Sequence, residues 1–206
     1  MIKKTYEKYL LPKLLDCCCS TKPINYQRKK IIPYASGNIL EIGIGSGLNL
    51  PFYEKSKINN LYGIDPSSEL CDMAKKTASD NEIDVNLLIN GAEEIELPKD
   101  SIDTVVMTYT LCTIPNPMDA LKEIKRVTKN RGYLYFTVPF LQGYHADPSD
   151  FRRFTSKGFI NQMNLKCIDH GISSGPFSVI SLQSKTISFC NCEQLFPINS
   201  RPLSVS

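Results

Sequence analysis

The residues best suited to hold a ligand form a glycine-rich stretch, "EIGIGSGLNL", at positions 41–50. It places Gly43, Gly45 and Gly47 at alternate positions behind an acidic residue, Glu41. A glycine-rich turn after a strand lets a ligand approach the backbone closely, because glycine has no side chain to obstruct it. The stretch therefore predicts a cofactor-binding loop and raises the question of which cofactor it takes.

Two common nucleotide-binding loops fit this spacing poorly. The dinucleotide fingerprint G-x-G-x-x-G needs a third glycine where the chain has Leu48. The phosphate loop of nucleoside triphosphatases needs a Gly-Lys-Ser/Thr that does not follow here. Glu41 would also repel a diphosphate and attract a positively charged ligand. S-adenosylmethionine fits this chemistry better, since it carries an ammonium and a sulfonium group and no phosphate.

A second acidic residue, Asp65, lies one strand–helix–strand step beyond the first glycine. An acid at the end of the next strand can accept hydrogen bonds from both ribose hydroxyls. The alternatives are that Asp65 caps the helix beginning at "PSSEL" and that Glu41 caps the backbone of the loop. Taken together, the two acids and the glycines fit an adenosine with a cationic tail.

These residues require a sheet to position them, and the sequence predicts one. Buried strand patterns alternate with amphipathic helical patterns, which favours parallel pairing and right-handed crossovers. The expected fold is a doubly wound, mostly parallel, Rossmann-like α/β sheet with helices on both faces. The predicted strands are "NILEIG", "NLYGID", "DVNLLIN", "SIDTVVMTYT", "GYLYFTVPF" and "LKCIDHGI". The predicted helices include one near residues 25–34 and those at "LNLPFYEK", "SSELCDMAKKTASDN" and "NPMDALKEIKRVTKN".

The chain divides into three predicted parts. Residues 1–35 form a helical basic arm, residues 36–190 form the cofactor-binding domain, and the polar, proline-broken residues 191–206 form a disordered tail. The first thirty residues carry eight basic side chains against two acidic ones, although the net charge of the whole chain is only +3. This arm fits either a solvated helix face or weak contact with an anionic membrane surface.

Composition excludes several classes of protein. The chain is 42% hydrophobic and 22% charged, as in ordinary globular domains, and it has no apolar run near the ~20 residues that span a bilayer. The N-terminus lacks a signal-peptide pattern, so we expect a cytoplasmic protein whose eight cysteines are reduced. Cysteine spacing predicts no metal site, and no basic patch with interleaved aromatics indicates nucleic-acid binding.

Four stretches resemble, in order, the motifs of class I S-adenosylmethionine-dependent methyltransferases. The branch resembled includes quinone-biosynthesis and phospholipid-type methyltransferases, and the resemblance covers roughly residues 5–140. It implies S-adenosylmethionine as cofactor and a small-molecule or lipid-like methyl acceptor. The four stretches are "ILEIGIGSGLNLPFY", "LYGIDPSSEL", "INGAEEIELPKDSIDTVVMTYTLCTIPNP" and "LKEIKRVTKNRGYLYF".

The resemblance also implies roles for individual residues. The glycine loop lies under the methionine part and the adenosine, Asp65 binds the ribose, and Pro66 lies beside the adenine. Ala92 and Glu93 match the segment that meets the adenine, although Gly91 stands where many relatives have Asp. The alternative for Glu93 is a solvated charge. The implied cofactor residues are Glu41, Gly43, Gly45, Gly47, Asp65, Pro66, Ala92, Glu93 and Thr108.

Two residues are candidates for catalysis. Tyr109 follows Thr108 at the end of the fourth strand and would flank the transferred methyl group, with a packed aromatic as its alternative role. His145 lies in "VPFLQGYHADPSDFRRFT" and is placed to act as a general base, whereas His170 is expected to be structural. Asp150 and Arg152 of the same stretch fit a structural salt bridge.

Two other functions compete with methyl transfer. A nicotinamide-dependent oxidoreductase could be built on the same sheet, but the spacing of the glycines and the charge of Glu41 argue against it. A catalytically silent cofactor-binding scaffold is favoured by Gly91 and by the ambiguous stretch "FSVISLQSKTISFC", which could form either a seventh strand or a helix. Turnover of any acceptor would exclude the scaffold.

Overall fold

The residues that the structure describes form a sheet of seven strands in the order β3-β2-β1-β4-β5-β7-β6. The structure is a computed structural model, and it describes residues 19–139, 155, 158–159, 169–172 and 191–197. The strands are β1 Gly37–Ile42, β2 Ile58–Ile64, β3 Asn86–Leu88, β4 Ile102–Thr108, β5 Thr128–Pro139, β6 Asp169–Ile172 and β7 Asn191–Pro197. The helices within these residues are α1 Lys22–Ile31, α2 Ser68–Asp80 and α3 Pro117–Val127.

The predicted fold class is confirmed. Strands β1 to β5 pair in parallel, whereas β7 pairs antiparallel with both β5 and β6 in the described sheet. The strand order reverses between β1 and β4, the position at which open α/β sheets bind their ligands. The residues that follow these two strands therefore form the expected binding edge.

Successive strand residues point to opposite sides of the sheet, and apolar clusters cover both of its faces. One apolar cluster contains Leu40, Val105 and Phe136 together with residues of α3. The other contains Ile39 and Val106, with residues of α1 and α2. This double burial explains why β1 and β4 have apolar residues at consecutive positions, such as Ile39 and Leu40 in β1 and Val105 and Val106 in β4.

Local signals set the ends of the longer helices. The hydroxyl of Ser67 accepts a hydrogen bond from the Leu70 amide at 3.2 Å and caps the start of α2. Helix α3 begins at Pro117, where the missing N–H costs nothing. It ends at Val127, three residues before the end predicted from "NPMDALKEIKRVTKN", because Thr128 is extended and begins β5.

The helix predicted at "LNLPFYEK" is wrong. The segment forms two short 3-10 helices, Leu50–Phe52 and Lys55–Lys57, with Tyr53 extended between them. Pro51 removes a backbone donor, and β2 starts at Ile58, so the segment is too short for a packed crossover helix.

The disordered tail predicted for residues 191–206 is wrong for its first seven residues, which form β7. Strand β7 pairs antiparallel with β5 on one side and with β6 on the other. The polar composition of this segment is typical of a tail, but the outer edge of β5 offers a row of backbone groups with which a neighbouring strand can pair.

The helix predicted near residues 25–34 is confirmed as α1, which is continued by a 3-10 turn at Ile32–Tyr34. The α-helix ends just before Pro33, as expected for a residue that cannot continue it. Among the described helices, none has the length and apolar composition needed to cross a bilayer.

Candidate functional site

Glu41 lies at the carboxyl end of β1 and is almost completely buried, with 2% of its surface exposed. Its Oε1 accepts a hydrogen bond from Asn49 Nδ2 at 2.9 Å, and its Oε2 accepts one from the Tyr53 hydroxyl at 2.7 Å. Its partners in the structure are thus side chains that follow the glycine loop, rather than the loop backbone. A buried carboxylate satisfied in this way is held in one orientation.

Burial raises the pKa of Glu41 to about 7. The hydrogen bonds from Tyr53 and Asn49 and the charge of Arg28 oppose this rise, whereas the charge of Asp65 adds to it. Tyr53 stays protonated and donating, because burial and the adjacent carboxylate raise its pKa well above the ordinary value. Glu41 therefore titrates near neutrality, and a cationic ligand nearby would favour its charged form.

Asn49 connects β1 to α1 and β4. Its Nδ2 donates to Thr108 Oγ1 as well as to Glu41, both at 2.9 Å. Its Oδ1 accepts a hydrogen bond from Arg28 Nε at 2.9 Å, and Arg28 is itself 5% exposed. The buried residues Arg28 and Asn49 thus belong to the site that carries Glu41.

Asp65 lies at the carboxyl end of β2 and is also buried. Its Oδ2 accepts a hydrogen bond from the Gly45 amide at 3.1 Å, and its Oδ1 accepts one from the Ser67 amide at 2.9 Å. Burial raises its pKa, while the two backbone hydrogen bonds lower it. Since Ser67 is the N-cap of α2, the alternative role of Asp65 as that cap is wrong.

The three glycines of the loop are not equivalent, although all have positive φ. A Cβ added to Gly43 would lie 2.3 Å from Thr110 Cγ2, and one added to Gly47 would lie 2.7 Å from Leu50 Cδ1. A Cβ added to Gly45 would meet no atom within 4 Å. Gly43 and Gly47 therefore serve packing, whereas Gly45 exposes loop backbone to open space that a ligand can fill.

A side chain of α3 forms hydrogen bonds with the segment that follows β3. Arg126 donates to the carbonyls of Leu97 and Ile95 at 2.9 and 2.7 Å. Upstream in this segment, Ala92 is buried and Glu93 Oε1 accepts a hydrogen bond from the Asn116 amide at 3.2 Å.

Gly91 has no side chain, and the space beside it is partly occupied by the side chain of Glu93. A Cβ added to Gly91 would lie 2.7 Å from Glu93 Oε2. The carboxylate of Glu93 thus occupies the space that a side chain at position 91 would use. Pro66, by contrast, is exposed beside Asp65.

Tyr109 follows β4 in a left-handed conformation, with φ at 60°. Such a backbone costs a non-glycine residue about 1–2 kcal/mol. A hydrogen bond from the Tyr109 amide to the Thr137 carbonyl, at 2.9 Å, stabilises this conformation. The guanidinium carbon of Arg28 lies 5.7 Å from the centroid of the Tyr109 ring. Strained residues of this kind cluster at functional sites.

The structure brings most predicted cofactor residues to one edge of the sheet. The register of the parallel strands sets Glu41 beside Gly63 of β2 and Val106 of β4, so that the residues ending these strands adjoin. His145, Asp150 and Arg152 lie outside the described residues, and His170 is described only as part of the backbone of β6.

Sequence reasoning missed three residues of the site, namely Arg28, Asn49 and Tyr53. Asn49 and Tyr53 are four residues apart directly after the glycine loop, and this spacing of polar groups was a usable signal. Arg28 gave no such signal in the sequence, because it belongs to a run of basic residues whose other described members are exposed.

Comparison with known proteins agrees with this geometry. A family model described as a methyltransferase domain matches residues 40–136, which run from β1 into β5 and include both acidic strand ends. This match, together with relatives named as methyltransferases, supports a class I S-adenosylmethionine-dependent methyltransferase family. The cofactor consistent with this match is S-adenosylmethionine, and the match disagrees with the nicotinamide-dependent alternative.

Two similar methyltransferases differ in the atom that they methylate. A phosphatidylethanolamine N-methyltransferase of Cereibacter sphaeroides is 31% identical over 98 residues, which are 47% of each chain. A ubiquinone/menaquinone biosynthesis C-methyltransferase of Rickettsia massiliae is 32% identical over 136 residues, 63% of this chain and 54% of that one. This chain thus spans about half the length of these relatives.

The fold has close counterparts among solved structures. A methyltransferase from Aquifex aeolicus, described as S-adenosylmethionine-dependent, superposes with a TM-score of 0.60 at 17% identity. The superposition covers 95% of this chain and 93% of that one. At this identity, the likeness supports the fold.

Proposed function

We propose that this chain is an active methyltransferase that transfers the methyl group of S-adenosylmethionine to a small, lipid-like acceptor. The observation that carries the proposal is the open space at Gly45, in a loop that follows the buried Glu41 and whose Gly45 amide donates to the buried Asp65. A cationic, phosphate-free nucleoside suits such a site, because the acids attract positive charge and can accept hydrogen bonds.

Each part of the site would hold a different part of the cofactor. The backbone at Gly45 would contact it closely, Asp65 would accept the ribose hydroxyls, and the negative charge of Glu41 would favour the cationic end. Pro66, Ala92 and Glu93 would flank the adenine. Because Glu93 fills the space at position 91, its carboxylate would act as the acceptor that an Asp provides in many relatives.

When bound, the sulfonium of the cofactor makes its methyl group electrophilic. The protein must then hold the acceptor in line with that group and exclude water, and positioning of this kind can contribute up to ~7–11 kcal/mol. Thr108 and Tyr109 are proposed to do so at the end of β4, where Tyr109 is already fixed in one backbone conformation. His145 remains the proposed general base for an acceptor that must lose a proton.

The exposed face of helix α1 supports the proposal that the methyl acceptor is found at a membrane. Lys22, Tyr26 and Lys30 recur at every fourth residue of α1 and are exposed, and the ammonium of Lys30 lies 4.5 Å from the Tyr26 ring centroid. Basic and aromatic residues on one face suit the boundary between water and an anionic bilayer. We propose that this face makes weak, peripheral contact with such a surface.

Methyl transfer is tested with cofactor that carries a labelled methyl group. The purified chain is incubated with it and with vesicles that contain either phosphatidylethanolamine or a demethylated quinone. The matched variant is Gly45→Asn, since Asn tolerates a left-handed backbone and its side chain fills the open space. We expect label in the lipid fraction with the natural chain and at least about tenfold less with the variant.

Other results would overturn the proposal. Binding of the cofactor without label in any lipid or other small acceptor would favour the silent scaffold. Equal labelling by the Gly45→Asn variant would contradict the role given to the open space. Failure of the chain to sediment with anionic vesicles at low salt would contradict the membrane contact while leaving methyl transfer standing.

A further inference from the structure

Arg28 of α1 is buried beside the candidate cofactor site. Its neighbours Lys29 and Lys30 are exposed to solvent, whereas Arg28 is 5% exposed. Arginine is rarely buried to this extent without partners that satisfy its charge. Helix α1 therefore directs one basic side chain into the protein, and the partners of that side chain indicate why.

The first partner of Arg28 is the side-chain amide of Asn49. Arg28 has only donors, and its Nε donates to Asn49 Oδ1 at 2.9 Å. An ionised Glu41 has only acceptors, and its Oε1 accepts from Asn49 Nδ2. The amide of Asn49 can satisfy both residues in one orientation only, so Arg28 and Glu41 fix it together.

The second set of contacts anchors the guanidinium itself. Arg28 Nη1 donates to Asn25 Oδ1 of the same helix at 3.0 Å. The guanidinium also lies over the ring of Tyr109 at the end of β4. Arg28 thus connects α1 to the residues that end β1 and β4, although it belongs to neither strand.

We propose that Arg28 is a positioning residue, which orients Asn49 and through it Glu41 for binding of S-adenosylmethionine. The same amide orients the Thr108 hydroxyl, so that α1 completes the cofactor site. This inference rests on the proposed function, because it assigns Arg28 a role in binding that cofactor. It predicts that cofactor affinity depends on a residue outside the matched methyltransferase domain, residues 40–136.

The charge of Arg28 gives a signature that packing alone would not. The groups that act on Glu41 are Arg28, Tyr53, Asn49 and Asp65, and Arg28 lowers the pKa of Glu41. Removing that charge moves the ionisation of Glu41 to higher pH, whereas a lysine at position 28 keeps the charge. Because an ionised Glu41 favours a cationic ligand, cofactor affinity should fall as the pH drops through its pKa.

The experiment is calorimetric titration of the full chain with S-adenosylmethionine across about pH 6 to 9. Arg28→Met removes the charge and the donor, Arg28→Lys keeps the charge, and Lys29→Met is the matched control on the exposed side of α1. We expect Arg28→Met to bind about tenfold more weakly at pH 7.5, with the midpoint of its pH profile shifted upward. Arg28→Lys should bind with intermediate affinity and an unshifted midpoint, and Lys29→Met should match the natural chain.

Two results would overturn the positioning role. One is equal affinity of Arg28→Met and the natural chain, and the other is a uniform loss across the pH range with an unshifted midpoint. If Arg28→Met fails to fold, Arg28→Lys decides, since a shifted midpoint in a variant that keeps the charge contradicts the account. A folded natural chain that does not bind the cofactor would instead overturn the proposed function itself, and this inference with it.

Discussion

The carboxyl ends of β1 and β2 both hold a buried acid, yet they hold it with different partners. Glu41 on β1 is bound by the side chains of Asn49 and Tyr53. Asp65 on β2 is bound by the backbone amides of Gly45 and Ser67. Side-chain partners can be removed by substitution, whereas backbone partners survive almost any substitution other than proline. The β1 end should therefore be the more sensitive of the two to mutation and to pH.

The largest effect on stability is expected from Asn49→Leu. This change removes the amide shared by Arg28 and Glu41 and leaves two buried charged groups without that partner. We expect a loss of about 3 kcal/mol in the free energy of unfolding. Chemical denaturation at neutral pH measures it, with the exposed Asn60→Leu as a control that should stay within about 0.5 kcal/mol. An equal effect of the two variants would contradict the buried network.

A comparable effect should appear when the pH is changed. The pKa of Glu41 is about 7 in the folded protein against an ordinary value of 4.5, so the folded state binds its proton more tightly. The tighter binding of this proton contributes about 3 kcal/mol to the free energy of unfolding. The contribution is fully present below pH 4.5 and is lost as the pH rises to about 7. Glu41→Gln should lack this loss. If the free energies of unfolding of the two proteins differed by the same amount from pH 4.5 to 8, the raised pKa of Glu41 would be refuted.

Tyr53→Phe should have a smaller effect that also depends on pH. The hydroxyl of Tyr53 stabilises the ionised form of Glu41, so its removal should cost about 1–3 kcal/mol where Glu41 is charged and less where it is protonated. Denaturation at about pH 5.5 and pH 8 separates the two conditions. Tyr133→Phe, at an exposed tyrosine, is the control and should show neither loss.

The smallest effect is expected at the β2 end. Ser67→Ala removes the N-cap of α2 and should cost about 1 kcal/mol. The Ser67 amide still donates to Asp65, so this loss should be the same from pH 5.5 to 8. The neighbouring Ser68→Ala, which leaves the cap in place, is the control. A loss that grew with pH would mean that Asp65 depends on the Ser67 side chain after all.

The same contrast explains what the sequence could and could not predict. Glu41, Asp65 and the three glycines stand in a local pattern, at or shortly after the ends of β1 and β2. Their positions were therefore predictable from spacing. Arg28 contacts Asn49 across twenty-one positions, and no local pattern carries a contact of that kind.

The elements that were predicted wrongly also depend on distant contacts. The segment after the glycine loop has the apolar content of a helix, but Asn49 and Tyr53 turn inward to Glu41 and Pro51 removes a donor. Strand β7 looks like a polar tail, and only its pairing with β5 and β6 makes it a strand. In both places tertiary contacts override local propensity.

The most direct test of the central claim is calorimetric titration of the folded chain with S-adenosylmethionine and, separately, with NADH. Asp65→Ala is the test variant, and Asp84→Ala at an exposed aspartate is its matched control. We expect the natural chain and Asp84→Ala to bind S-adenosylmethionine, Asp65→Ala to lose that binding, and none of them to bind NADH. A folded natural chain that binds NADH alone, or neither ligand, would contradict the central claim.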